Sequence, residues 1–418
     1  MRVLIIGGGL IGLCSAYELR KLGHEVTIIE RREGPALETS FANGGLLTPS
    51  MSDPWNAPGS WRVLLASLGR SDSPLQLRLK AVPGLAHWGI DFLRNSSSAR
   101  FARNTLNNVR LAQYSLSALR ELRRTERLEY GQGTAGTMRL FRDRDKFAAA
   151  QKASAALTTE GISSRSLAPA EATVLEPALT AIERQLVGAI HYSGDESGDA
   201  YVFCRLLADR AQNLGVEIRF NQDVKALEVR NGAVVSARCG ADTLHADRIV
   251  VAAGSYSAPL LQQVGVDLPV RPGKGYSVSF DRPREHSLSI AMIDDDLHAA
   301  LTPLGNTLRA AGTAEFAGFD LTLRPERVRN LMGLVNRILP KSNIDLSKGR
   351  PWCGFRPMSS DGVPIIGSTP VTNLWVSSGH GPLGWTMSVG SGRLLAQLMS
   401  DLKPEIDPTP YALARFAS

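Results

Sequence analysis

The chain has 418 residues, 43% of them hydrophobic and 21% charged, with a net charge of +7. That balance is ordinary for a globular enzyme with a large core, and it excludes a disordered or collagen-like chain. No apolar run approaches the length of a bilayer span, and Cys14, Cys204, Cys239 and Cys353 are too scattered for a disulfide framework or a metal site, so no metal is expected.

The first dozen residues hold a short apolar strand running into Gly7-x-Gly9-x-x-Gly12. The apolar start has one basic residue before it, three glycines inside it and no small-residue cleavage site, and it reads as a buried parallel strand rather than a signal peptide. A helix over 10–22 and a strand over 25–30 follow, the strand closing on Glu30. In such a unit Gly7 turns the chain sharply, Gly9 leaves room for a pyrophosphate, and Gly12 lets the helix pack close to the sheet. The phosphates then meet the unpaired N–H groups and positive dipole end of the helix. Glu30 can accept hydrogen bonds from both ribose hydroxyls of an adenosine and would repel a 2′-phosphate. FAD or NAD fits; NADP does not.

From 48 to 185 the pattern changes to long helical stretches, such as 101–127, alternating with irregular Pro- and Gly-rich pieces. A helix over 199–214 and strands over 216–220, 224–230 and 233–239 come next, the last two joined by the hairpin signal Asn231-Gly232. Residues 247–255 form a buried strand ending in Ala253-Gly254, placed beside a nucleotide. Strand alternation over 274–280 and 307–312 precedes a helix over 325–338. A strand over 373–378 then leads through Gly379-His-Gly-Pro-Leu-Gly-Trp-Thr386 into a helix over 387–402. The loop from Gly381 to Gly384 delivers a helix N-terminus, where negative charge on a reduced flavin would be stabilised. Arg356, between Gly354-Phe355 and Pro357, is expected at a turn; its planar fork suits a carboxylate as lysine's point charge does not.

Taken together, Gly7 to Gly12 with Glu30, Glu38-Thr-Ser-x-x-Asn43-x-Gly45, Gly-x-Arg-Pro-x-x-x-Asp-Gly-x-Pro-x-x-Gly over 354–367, Gly379-His-Gly-x-x-Gly-Trp-Thr386 and Tyr411-x-x-x-Arg415-Phe416 resemble the FAD-dependent D-amino acid oxidase and glycine oxidase superfamily. Within it the chain is most similar to the small subunit of the bacterial D-amino acid dehydrogenases, a likeness that includes Pro54-Trp-x-Ala-Pro-Gly59 and Pro272-x-Lys-Gly-Tyr276. The resemblance implies an α/β fold with an α+β substrate lobe: a glutathione-reductase-type FAD-binding Rossmann domain (1–47, 186–261 and 346–418) interleaved with a mixed-sheet substrate domain (48–185 and 262–345).

It further implies FAD as cofactor and oxidative deamination of a D-amino acid, with hydride passing from Cα to flavin N5. The cofactor set is Gly7, Gly9, Leu10, Ile11, Gly12, Glu30 and Arg31; Ser40, Asn43, Gly45 and Leu46 over the ring; Val224, Ala253 and Gly254; and Gly381, Leu383, Gly384, Trp385 and Thr386 at the pyrimidine end. Arg356 matches the arginine that binds the substrate carboxylate. Where glycine oxidases carry a tyrosine for that carboxylate this chain has Ala300, and Tyr276 or His298 is the candidate to compensate.

His380 is expected to hydrogen-bond nearby backbone, and Lys274 to touch the flavin or a strand end. A cyclic D-imino acid needs the same groups, and neither it nor an oxygen-using oxidase is separable here. The resemblance points to a quinone or other non-oxygen acceptor. Trp55, Trp61 and Trp88, among apolar runs and basic residues up to Arg110, fit a membrane interface as well as the core and rim of ordinary helices. The expected location is the cytoplasm, or its face of the cell membrane. No basic stripe with interleaved aromatics points to nucleic acid.

Overall fold

Strand Arg2–Ile6 pairs in parallel with Glu25–Ile29 on one side and Arg248–Val251 on the other, at the centre of a six-stranded sheet. Leu374–Ser378 and Glu217–Arg219 extend it in parallel, and Ile365–Ser368 closes one edge antiparallel. The computed structural model describes residues 1–60, 75–78, 81–282, 285 and 287–417. The central strands read as continuous apolar runs because helices cover one face and a hairpin sheet the other.

On the first face three helices stack: Leu10–Lys21, Gly384–Met399 and Ser98–Glu126. Leu111, Leu116, Leu119 and Leu122 of the long helix share one core with Leu13, Leu19, Leu394 and Leu395. Residues 98–126 therefore pack on the nucleotide sheet, although their place in the sequence assigned them to the substrate domain. On the other face, Val224–Arg230 and Ala233–Cys239 form the expected hairpin, with Asn231 at φ 52° and Gly232 at φ 75°. Positive φ at both turn residues is what a two-residue hairpin of this hand requires.

The second sheet has nine strands in mixed order. Its edge strand Arg350–Ser359 runs antiparallel to Val270–Asp281, which pairs in turn with Thr307–Phe316, while Gly188–Tyr192 joins near the far side. The expected boundaries at 186 and 346 thus give way: both strands lie in the nucleotide-domain segments by sequence and in the substrate sheet by pairing. The helix Pro325–Ile338 covers the outer face of this sheet with Leu331, Leu334, Val335 and Ile338.

Candidate active site

The two sheets meet around one cavity of about 1440 Å³, lined from Gly7 and Gly9 at one end to His298, Thr313 and Arg356 at the other. The shape of the first end follows from the glycines. Gly7 stands at φ 112°, where a side chain would also meet the Ala252 carbonyl at 2.6 Å, and a β-carbon on Gly12 would meet the Gly7 carbonyl at 1.9 Å. Glu30 is 7% exposed; its carboxylate accepts from Gly8 N at 2.7 Å and from Arg32 N at 2.9 Å. Burial pushes its carboxyl up, and those two N–H groups act against the shift.

Arg31 lies over the Tyr256 ring at 3.8 Å and pairs with Glu38 at 2.6 Å. Leu10 N donates to Ser40 Oγ at 3.2 Å, and Gly45 N to Asn43 Oδ1 at 3.0 Å, so the 38–46 loop is tied down across the helix N-terminus.

Gly7, Gly9, Leu10, Ile11, Glu30, Arg31, Ser40, Asn43, Gly45, Leu46, Val224, Ala253, Gly254, Gly381, Leu383, Gly384 and Trp385 all line the cavity. Gly12 and Thr386 stand behind that lining. Thr386 Oγ1 accepts from Thr48 N at 3.1 Å and lies 3.4 Å from Leu46 O, which joins the 46–48 segment to the start of the last long helix. The bare-backbone loop, the helix N-terminus behind it, the buried acid after the second strand and the length of the cavity fit FAD.

At the other end Arg356 sits mid-strand in Arg350–Ser359, not at a turn as its Pro neighbour suggested. Nη1 donates to the Thr313 carbonyl at 2.9 Å, and Cζ is 5.5 Å from the Trp55 ring centroid. Thr313 stands at φ 57° where Thr307–Phe316 bulges: Lys274 pairs with Glu315 and Tyr276 with Gly312, leaving two residues opposite Gly275. The bulge aims the carbonyl at the guanidinium. Among the described residues no carboxylate pairs with Arg356, and burial pulls the guanidinium down to about 10. A desolvated cation facing a cavity with no anion beside it is a ready seat for an anionic ligand.

Tyr276 is a correction. It is 2% exposed, donates to Glu315 Oε2 at 2.7 Å and lies outside the cavity lining. Its neighbour Lys274 is likewise occupied behind the sheet, donating to Thr322 O at 2.5 Å, 3.7 Å from Glu315. Alternation along the strand turns both side chains from the cavity. His298, at φ 46°, is exposed and lines the cavity with Ala300. His380 is 3% exposed, and burial lowers its imidazole to about 3; its Nε2 bonds the Ser391 hydroxyl at 2.9 Å, a side chain where backbone was expected.

Trp88 is 5% exposed and Trp55 lines the cavity, so neither forms an outward membrane face; Trp61 falls outside the described residues. Sequence reasoning did not place Trp55 and Trp88 at the cavity, and it missed Thr313 and Gly275, because only the pairing of distant strands places them beside Arg356.

The model of the FAD dependent oxidoreductase (DAO) family matches residues 2–398. The chain belongs to this family. This FAD-dependent oxidoreductase is 41% identical over 420 residues to the D-amino acid dehydrogenase of Paramagnetospirillum magneticum, covering 100% of this chain and 99% of the other. Among solved structures it is similar to the L-proline dehydrogenase of P. horikoshii, with a TM-score of 0.78 and 18% identity over 100% of this chain and 97% of that one. The glycine oxidase of Geobacillus kaustophilus gives a TM-score of 0.77 and 24% identity, covering 99% of each chain. These two likenesses speak to the fold.

Proposed function

We propose that this FAD-dependent oxidoreductase converts D-amino acids to 2-oxo acids and ammonia, and that its electrons go to a quinone or another non-oxygen acceptor. The observation that carries the substrate reading is the Arg356 guanidinium, desolvated, without a carboxylate partner among the described residues and facing the cavity that the glycine loop opens. The 41% identity to a D-amino acid dehydrogenase supports the same choice.

FAD, when bound, supplies the hydride acceptor. Arg356 holds the substrate carboxylate through its fork, and the Thr313 carbonyl fixes one guanidinium nitrogen, so the α-carbon is presented in one orientation. With FAD bound, a substrate held there would give up its α-hydrogen and electron pair to the cofactor, leaving an imino acid that water would hydrolyse to the 2-oxo acid and ammonia. The amine must be neutral, and His380 is a poor base for that step, because burial lowers its imidazole to about 3 and its Nε2 is bonded to the Ser391 hydroxyl.

Arg356→Ala should lose at least about 2 kcal/mol of transition-state binding, roughly thirtyfold in kcat/KM, while retaining its yellow colour. An unchanged kcat/KM would remove Arg356 from this role. Anaerobic bleaching by D-proline but not by linear D-amino acids would redirect the reading to cyclic imino acids, and rapid peroxide formation in air would redirect it to an oxidase.

For the acceptor we infer a membrane contact on the cytoplasmic side. The helix Val82–Arg94 exposes Val82, Ile90 and Leu93, and Arg94, Arg100 and Arg103 are exposed beside it. Apolar side chains next to cations suit an anionic interface, and binding to anionic liposomes should then weaken as salt is raised. Absence of binding at every salt concentration would exclude it.

A further inference from the structure

The wall beside Arg356 is apolar and largely aromatic. Trp88 donates its indole N–H to Met358 O at 3.0 Å, which fastens it to the same strand two residues beyond Arg356. It stacks on Phe92 at 5.1 Å and meets Phe316 at 5.4 Å, and Trp55, Leu77 and Leu85 pack on that cluster. Trp55, Leu77, Leu85, Trp88, Phe92 and Phe316 all line the cavity.

The charged groups farther along the lining neutralise one another: Arg139 pairs with Asp295, and Asp294 pairs with Arg142 and Arg337. Asp53 accepts from Thr105 Oγ1 at 3.1 Å. The wall thus presents hydrocarbon at the point where a carboxylate held on Arg356 would direct the rest of its molecule.

We propose that this wall is the side-chain subsite and that the preferred substrates are D-amino acids with large apolar side chains, aromatic or branched aliphatic. The proposal rests on the reading of Arg356 as the carboxylate anchor. The side chain branches from the atom next to the carboxylate, so it begins within reach of the Trp55 ring, 5.5 Å from the guanidinium carbon. Each methylene buried there adds roughly tenfold or more to discrimination, and an aromatic ring adds several such increments over a methyl group.

The test is anaerobic bleaching of the holoenzyme by D-phenylalanine, D-leucine, D-alanine and D-arginine, with Trp55→Ala and Trp55→Phe alongside and flavin absorbance as the check on folding. D-Phenylalanine should exceed D-alanine by at least about tenfold in kcat/KM. Trp55→Ala should cut that ratio by roughly tenfold, and Trp55→Phe should keep most of it. A ratio unmoved by Trp55→Ala overturns the subsite, as does a wild-type preference for D-alanine. Preference for D-arginine, lost in Asp53→Asn, would hand the side chain to Asp53 instead. Each of these outcomes leaves the deamination reading intact, whereas bleaching by none of the four overturns the subsite and the reaction together.

Discussion

The guanidinium of Arg356 lies across the α-carbon of Gly275, so closely that a β-carbon there would stand 2.5 Å from Cζ. The contact is with the far end of a flexible side chain, so the fold can accommodate a methyl group and the arginine must yield. Gly275→Ala should therefore bind FAD as the wild type does while losing roughly tenfold or more in kcat/KM, mostly through KM. Normal kinetics in that variant would show that the seat of Arg356 is not what orients the substrate.

The dependence of rate on pH should come from the substrate. His380 is held neutral by burial, with its imidazole at about 3, and Arg356 stays charged up to about 10. Between those limits kcat/KM should rise with pH as the substrate amine loses its proton. The same limb should survive in His380→Gln. If it disappears there, the histidine carries the proton.

Folding stability should carry a mark of Asp195, which is 2% exposed and held at about 6 by burial, against hydrogen bonds from Ser50 and Thr137 that pull it down. An acid whose folded value lies above its ordinary 3.8 favours the folded state when protonated. That contribution is complete below about pH 4 and is lost as pH rises through about 6. Its size is up to about 3 kcal/mol, and Asp195→Asn should flatten this part of the stability curve. Thermal melts of both proteins at about pH 4.5 and about 7.5 decide it: parallel losses in Tm would exclude Asp195 as the source.

Behind the cavity, Glu315 is the counter-ion of three basic side chains: the partly exposed Arg78 at 2.5 Å and Arg324 at 3.1 Å, and Lys274 at 3.7 Å, whose side chain is fully buried. Glu315→Ala leaves that ammonium uncompensated and should cost about 3–5 kcal/mol in urea unfolding. A loss below about 1 kcal/mol would mean that the cations find other partners or water.

The nucleotide half was legible because its signals are local. The strand, the three glycines, the helix and Glu30 fall within thirty residues, and each has a conformational reason to be where it is. The helix Pro325–Ile338 and the hairpin at Asn231-Gly232 were legible for the same reason. The substrate half was not. Arg356 reads as a turn residue from its neighbours, and only its pairing opposite Gly273, more than eighty residues earlier, makes it part of a strand. Periodicity marked 101–127 as helical but carried no information about which core the helix would face. Tyr276 failed for a related reason: alternation along its own strand puts it on the face opposite Gly275, but which of the two faces the cavity is set only by the strands and helix that pack on them.

The central sheet has an implication for how the protein is made. Strand Leu374–Ser378 docks beside Arg248–Val251, and Ser378 Oγ donates to the Gly254 carbonyl at 2.9 Å, so the groove that grips the dinucleotide lacks a side until a strand more than 360 residues beyond Gly12 has joined the sheet. A chain that has made only the opening glycines cannot close on its prosthetic group, however soon they emerge. Loading is thereby tied to the docking of distant strands rather than to the appearance of the opening motif.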